Sequence, residues 1–262
     1  MNKTFAIVAV VVIIASAGLG ETVSPSSSKL GYKKMLIGMT TEEVRSHLPK
    51  YLFGQGSRRP HGAVPKGVRT GFLDYTKDRE HECSYDFPET GWVELDDPKG
   101  STNDSFEGLS SDELEAKELF SFGTIPNHEG STSTVHAYCP GLFLRFLKNR
   151  LVAIELVTSV FDDHRSDCVP QVFIAGAKRK WGFPTSDNRW DGERLTNLLK
   201  QPAGAQLLLA EWDRSPTGTV RVWALSNGAT LEFHFLIEET GGMDKVDEIG
   251  RLRPITGIKP DF

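Results

Sequence analysis

The sequence predicts an α+β fold, an antiparallel β-sheet of hairpins with helices packed on one face. Three observations carry that expectation. Residues 142–156 and 220–235 each align apolar residues in cross-strand pairs about a central turn, as hairpins with a buried face do. Segments with helix signals lie before the first hairpin and between the two. The order helix, strands, hairpin, helix, strands suits a sheet covered on one side. Because this order occurs twice, two related subdomains divided near Phe161 stand as an open alternative.

Residues 1–17 read as a secretory signal, with Lys3 ahead of an apolar run from Phe5 to Ile14 and Ala15-Ser16-Ala17 as a small-x-small cleavage site. The rival reading is an uncleaved anchor, for which the run is short of the roughly 20 residues of a bilayer span. No cysteine stands near the cleavage site to carry a lipid. Residues 18–29, rich in serine, read as a flexible lead-in. The expected compartment is therefore outside the cytoplasm: the periplasm in a Gram-negative bacterium, otherwise the exterior. No transmembrane span is expected in the mature chain, since the most apolar later run, Leu151 to Val160, is interrupted by Glu155.

Residues 30–161 form the expected N-terminal α+β part. Thr40 and Glu43 make a capping box, followed by Val44 and Leu48 on one helical face and by Pro49 as a stop. A glycine- and proline-rich loop leads to strands at Gly71 to Tyr75 and Cys83 to Phe87. The polar stretch 96–134 reads as a surface insertion holding one short helix, capped by Ser110 with Glu113 and ending near Phe120. A strand from Val135 to Phe146 then turns through Lys148-Asn149-Arg150, setting Phe146 opposite Val152, Leu144 opposite Ile154 and Leu142 opposite Leu156.

Residues 162–262 form the C-terminal α+β part, continuous with the first or separate from it. Asp167 can cap a helix that runs to Trp181, with Lys178, Arg179 and Lys180 complementing its dipole and Gly182 and Pro184 ending it. A second helix is expected over Gly192 to Lys200 and a strand over Leu207 to Trp212. The last hairpin, read with Asn227-Gly228 as a two-residue turn, sets Ala224 opposite Leu231, Val222 opposite Phe233 and Val220 opposite Phe235.

Composition narrows function only by exclusion. Without its signal the chain keeps about 245 residues, enough for a substantial core. With 39% hydrophobic and 25% charged residues it is neither disordered nor fibrous, and a formal charge of -5 argues against a nucleic-acid partner.

The run Gly38-Met39-Thr40-Thr41-Glu42-Glu43-Val44 resembles the start of small exported bacterial proteins of the SmpA/OmlA kind. These outer-membrane-assembly lipoproteins have a helices-on-sheet fold similar to that of β-lactamase inhibitory protein. The resemblance implies an exported, non-catalytic protein-binding domain whose partner is another envelope or extracellular protein. The chain departs from that pattern in lacking a lipid-bearing cysteine, in reading His47-Leu48-Pro49 where Leu-Gly-x-Pro is usual, and in its greater length.

The common catalytic signatures are missing: there is no Gly-x-Ser-x-Gly elbow, His-Glu-x-x-His or Walker loop. His164 and Cys168 are the best candidates for an alternative reading as a hydrolase or transferase with a dispersed site. Against it, Asp167 starts the helix and leaves His164 outside, while Asp162, Asp163 and Asp167 oppose a thiolate. Seven scattered histidines show no local metal pattern, and neither metal nor cofactor is expected. Export would permit one disulfide among three cysteines, and Cys83 with Cys139 is the favoured pair. The strongest hint of binding is the outer face of the last hairpin, where the same register puts Trp223 opposite Glu232 and Arg221 opposite His234. Trp223, Arg221 and His234 are thus the candidate binding residues.

Overall fold

The computed structural model describes residues 29–53, 67–71, 87–97, 106, 108–126, 134–139, 141–160, 168–188 and 190–246. The signal at 1–17, nearly all of the lead-in, Cys83, His164 and Asp167 lie outside them.

In chain order the elements are β1 (Gly31–Tyr32), β2 (Met35–Leu36), α1 (Thr41–His47), β3 (Val68–Gly71), β4 (Gly91–Asp96), α2 (Ser111–Phe120), β5 (Ser121–Pro126), β6 (Thr134–Tyr138), β7 (Gly141–Leu147) and β8 (Arg150–Val160). There follow α3 (Cys168–Trp181), β9 (Ser186–Asp187), α4 (Gly192–Leu199), β10 (Gln206–Asp213), β11 (Thr219–Ser226) and β12 (Leu231–Glu238). Eight strands form one sheet in the order β3-β4-β7-β8-β12-β11-β10-β9, and every pairing in it is antiparallel. The expected α+β class holds. The central pair, β8 with β12, joins strands from the two halves of the chain, so both contribute to one sheet.

Both expected capping boxes are present. At α1 the Thr40 hydroxyl accepts from the Glu43 amide while the Glu43 carboxylate accepts from the Thr40 amide at 2.8 Å. Ser110 and Glu113 repeat the exchange at α2. Satisfying these end amides lets short helices form, and tertiary burial then holds them. Val44 and Leu48 of the first helix, Leu119 and Phe120 of the second, Phe173 and Ile174 of α3, and Leu195 and Leu198 of α4 enter one core with Leu142, Leu144, Ile154, Leu156, Phe233 and Phe235. The four α-helices among the described residues therefore cover the same face of the sheet.

The structure corrects several local readings. The stretch 96–134 is not simply a surface insertion, because Phe120 is fully buried and β5 with β6 forms a hairpin against α3. The expected strand from Val135 to Phe146 is two strands, β6 ending at Tyr138 and paired with β5, and β7 starting at Gly141 in the eight-stranded sheet. Of the strand expected over Gly71 to Tyr75, Gly71 is described and closes β3, and the remainder of that reading lies outside the described residues.

The β7–β8 turn has two residues, Lys148 and Asn149, both with positive φ (51° and 61°), the geometry that matches strand twist. A bulge between Arg145 and Phe146 absorbs the difference, so Leu142 still faces Leu156 and Leu144 still faces Ile154, while Phe146 faces Leu151 and not Val152. In the last hairpin the loop is longer than expected. The Asn227 carboxamide oxygen accepts from the amides of Ala229 (3.1 Å) and Thr230 (2.7 Å), closing residues 227–230. Ala224 therefore faces Phe233, Val222 faces Phe235 and Val220 faces Ile237. Each partner differs from expectation by two residues, and a two-residue shift leaves every side chain on its original face.

A polar and aromatic outer sheet face as the candidate functional site

Away from the helices, the sheet presents a face that an alternating strand should leave polar, yet several of its charged groups are buried. The cause lies in strand order: β7, β8, β12 and β11 are central strands, so their outward side chains are crowded by neighbours on both sides. Arg145 on β7 donates from Nη2 to Glu155 Oε2 on β8 at 3.3 Å, and its guanidinium lies 5.6 Å from the Phe143 ring centre. The other carboxylate oxygen of Glu155 is 2.9 Å from Nδ1 of His234 on β12. The His234 ring stacks on Trp223 of β11, with centroids 4.9 Å apart and planes 9° from parallel. A continuous chain of contacts thus crosses four neighbouring strands.

Arg221 anchors the adjoining part of the face. Its Nε donates to Glu211 Oε2 on β10 at 2.7 Å and its Nη1 to Glu238 Oε1 on β12 at 3.4 Å. Residues 242–246 fold back over this region, where the Met243 amide donates to Glu238 Oε2 at 3.1 Å. Burial pushes the Glu238 carboxyl above its ordinary range. The Met243 amide and Arg221 oppose that shift, whereas Asp244 and Glu155 reinforce it.

Trp223, Arg221 and His234 share the face expected of them, but their cross-strand partners differ. Trp223 lies opposite His234 where Glu232 was expected, and Arg221 lies opposite Leu236 where His234 was expected. The correction follows from the longer loop, and it creates the aromatic stack. Glu155, Arg145, Glu211 and Glu238 were not foreseen as members of the site. A signal existed for two of them: a charge inside an apolar run, Glu155 in β8 and Arg145 in β7.

The other candidates fare differently. Cys139 is a free, fully buried thiol, so the expected bridge to Cys83 is not formed at this end, and Cys83 itself lies outside the described residues. The thiol lies in the core, the Cys139 amide donates to the Phe120 carbonyl at 2.9 Å, and desolvation raises the thiol pKa well above the ordinary value. His164 lies outside the described residues, and of Cys168 only the backbone is described, at the first position of α3. Among the described residues no hydroxyl or thiol hydrogen-bonds His234, no cluster of three or more His, Cys, Asp or Glu side chains is arranged for a metal ion, and no helix is long and apolar enough to cross a membrane. A cleft of about 440 Å³ beside the β1–β2 hairpin is lined by Leu36, Ile37, Met39, Glu43 and Thr217, none of them on the outer sheet face.

Fold and site together define an α+β protein with a one-sided helix layer and a polar, aromatic outer sheet face. Compared with protein-family models, curated proteins and solved structures, the chain matches none.

Proposed function

We propose that this chain is an exported, non-catalytic protein-binding module that takes an envelope or extracellular protein on the outer sheet face around Trp223. The observation that carries the reading is the stack of half-exposed Trp223 on His234, whose ring nitrogen contacts Glu155, itself paired with Arg145, along the same face. Trp and Arg side chains supply much of the energy at protein interfaces. Here Trp223 is restrained by its stack and Arg221 by two carboxylates, so less side-chain entropy remains to be lost when a partner docks. His234 has a carboxylate orienter but no bonded nucleophile among the described residues, which favours binding over turnover. The resemblance of Gly38 to Val44 to exported assembly proteins points the same way.

The test compares Trp223→Ala with Val222→Ala, the latter lying on the core face of the same strand. A partner captured by the wild-type protein from its native envelope should bind Trp223→Ala more weakly by ~2 kcal/mol or more, with little loss of folding stability. Val222→Ala should lower stability without a direct effect on the partner. A larger stability loss at Trp223 than at Val222 would remove the case for an interface here.

A further inference from the structure

Phe183 is 90% exposed, and the chain around it is firmly held. Gly182 before it adopts a left-handed conformation (φ 81°) that ends α3, and Pro184 follows. The Gly182 carbonyl accepts from Nε1 of the buried Trp212 at 2.9 Å, and the Thr185 amide donates to the Glu211 carbonyl at 2.7 Å. The ring therefore projects from an anchored turn.

Cations gather at the same end of the molecule. Arg179 and Lys180 are exposed in the last turn of α3, and Arg214 donates to the Trp181 carbonyl at 3.4 Å. Lys180 Nζ donates to the Gly31 carbonyl at 2.7 Å, tying in the β1–β2 hairpin, whose turn exposes Lys33 and Lys34. Of the nearby carboxylates, Asp213 accepts from the Ser215 amide, Asp187 pairs with Lys178, and Glu118 acts on Lys33. A positive corner tipped by an aromatic ring thus stands on a chain whose formal charge is -5. Burial lowers the pKa of both Lys33 and Lys180, a cost that an anionic partner placed against them would offset.

We propose that this corner docks the protein on an anionic lipid surface, with Phe183 entering the headgroup boundary and Arg179, Lys180, Lys33, Lys34 and Arg214 facing acidic headgroups. An aromatic ring on a fixed tip needs no shaped pocket in a fluid interface, and dispersed cations, mainly lysines, serve a diffuse negative charge without directional pairing. An acidic protein would need a cavity to receive the ring, so lipid is the better fit. This surface is separate from the Trp223 face and does not depend on it.

Sedimentation of the purified protein with vesicles of phosphatidylcholine and phosphatidylglycerol, set against phosphatidylcholine alone, tests the idea. Binding should require phosphatidylglycerol, fall as salt rises, and weaken at least about tenfold in Phe183→Ser, whose melting temperature should match wild type. Arg179→Glu with Lys34→Glu should weaken it further, and Trp223→Ala should leave it unchanged. Equal retention on both vesicle types, no retention, undiminished binding by Phe183→Ser, or binding to an acidic polypeptide without binding to vesicles would each overturn the proposal.

Discussion

A carboxylate buried on a sheet face costs stability unless cations and amides compensate it, and Glu155 and Glu238 are compensated differently. Glu155 lies between Arg145 and His234, whereas Glu238 shares Arg221 with Glu211 and has Asp244 and Glu155 as like-charged neighbours. The folded-state pKa of Glu238 is raised, so between its ordinary 4.5 and that raised value the native protein holds more proton than the unfolded chain. Its contribution to stability is then greatest in acid and is lost as pH rises through the folded pKa. Glu238→Gln should flatten the fall of stability with pH above 4.5, read from urea midpoints across that range; an unchanged slope would place the pH dependence elsewhere. Cys139 makes a second residue-scale prediction. Its buried, desolvated thiol should resist alkylation in the native protein and react on unfolding, whereas a disulfide-linked peptide containing Cys139 would contradict the structure. That Trp223, Arg221 and His234 share a face was legible from two-residue periodicity. Which carboxylates hold them was not, because that depends on β8 lying beside β12 across more than seventy residues of chain.

Among the elements, those specified by a local rule matched the sequence reading best. The capping boxes of α1 and α2 and the end of α3 at Gly182 follow from short-range hydrogen bonding, which four or five residues suffice to encode, and the Asp191 cap of α4, not foreseen, obeys the same rule. Hairpin registers were harder. Lys148-Asn149 and residues 227–230 adopt loops one residue shorter and two longer than expected, and only the bulge at Arg145 or the carboxamide of Asn227 reconciles them with the apolar pattern. The sequence did not locate β4, although Val93 and Leu95 alternate with Glu94 inside it. Asn149 ties local turn to tertiary structure, because its Oδ1 accepts from the Thr41 amide (3.3 Å) and hydroxyl (2.5 Å) while φ stays at 61°. Asn149→Gly should lose only the bonds to α1, whereas Asn149→Ala adds a left-handed penalty of roughly 1–2 kcal/mol. Denaturant midpoints should rank wild type above Gly and Gly above Ala; equal losses would mean that the turn conformation contributes nothing.

At the scale of the whole molecule, the sheet turns two similar-looking halves into one packing problem. Phe235 sits at the join: its strand pairs with β8 on one side and β11 on the other, and its ring lies 4.4 Å from Phe173 of α3 and 5.3 Å from Phe122 of β5. Removing that ring strips contacts from both halves and leaves a cavity between the sheet and the helix layer, a change that costs about 3–5 kcal/mol in a rigid core. If the halves unfold as one cooperative unit, every local probe must report the same loss. Trp92 in β4 and Trp212 in β10 are both buried and stand in opposite halves of the chain. Their fluorine-labelled indoles can be followed separately by NMR during urea titration. Phe235→Ala should move both transitions to lower denaturant by the same amount, whereas an unmoved Trp92 transition would show that the N-terminal half keeps its own stability despite sharing the sheet.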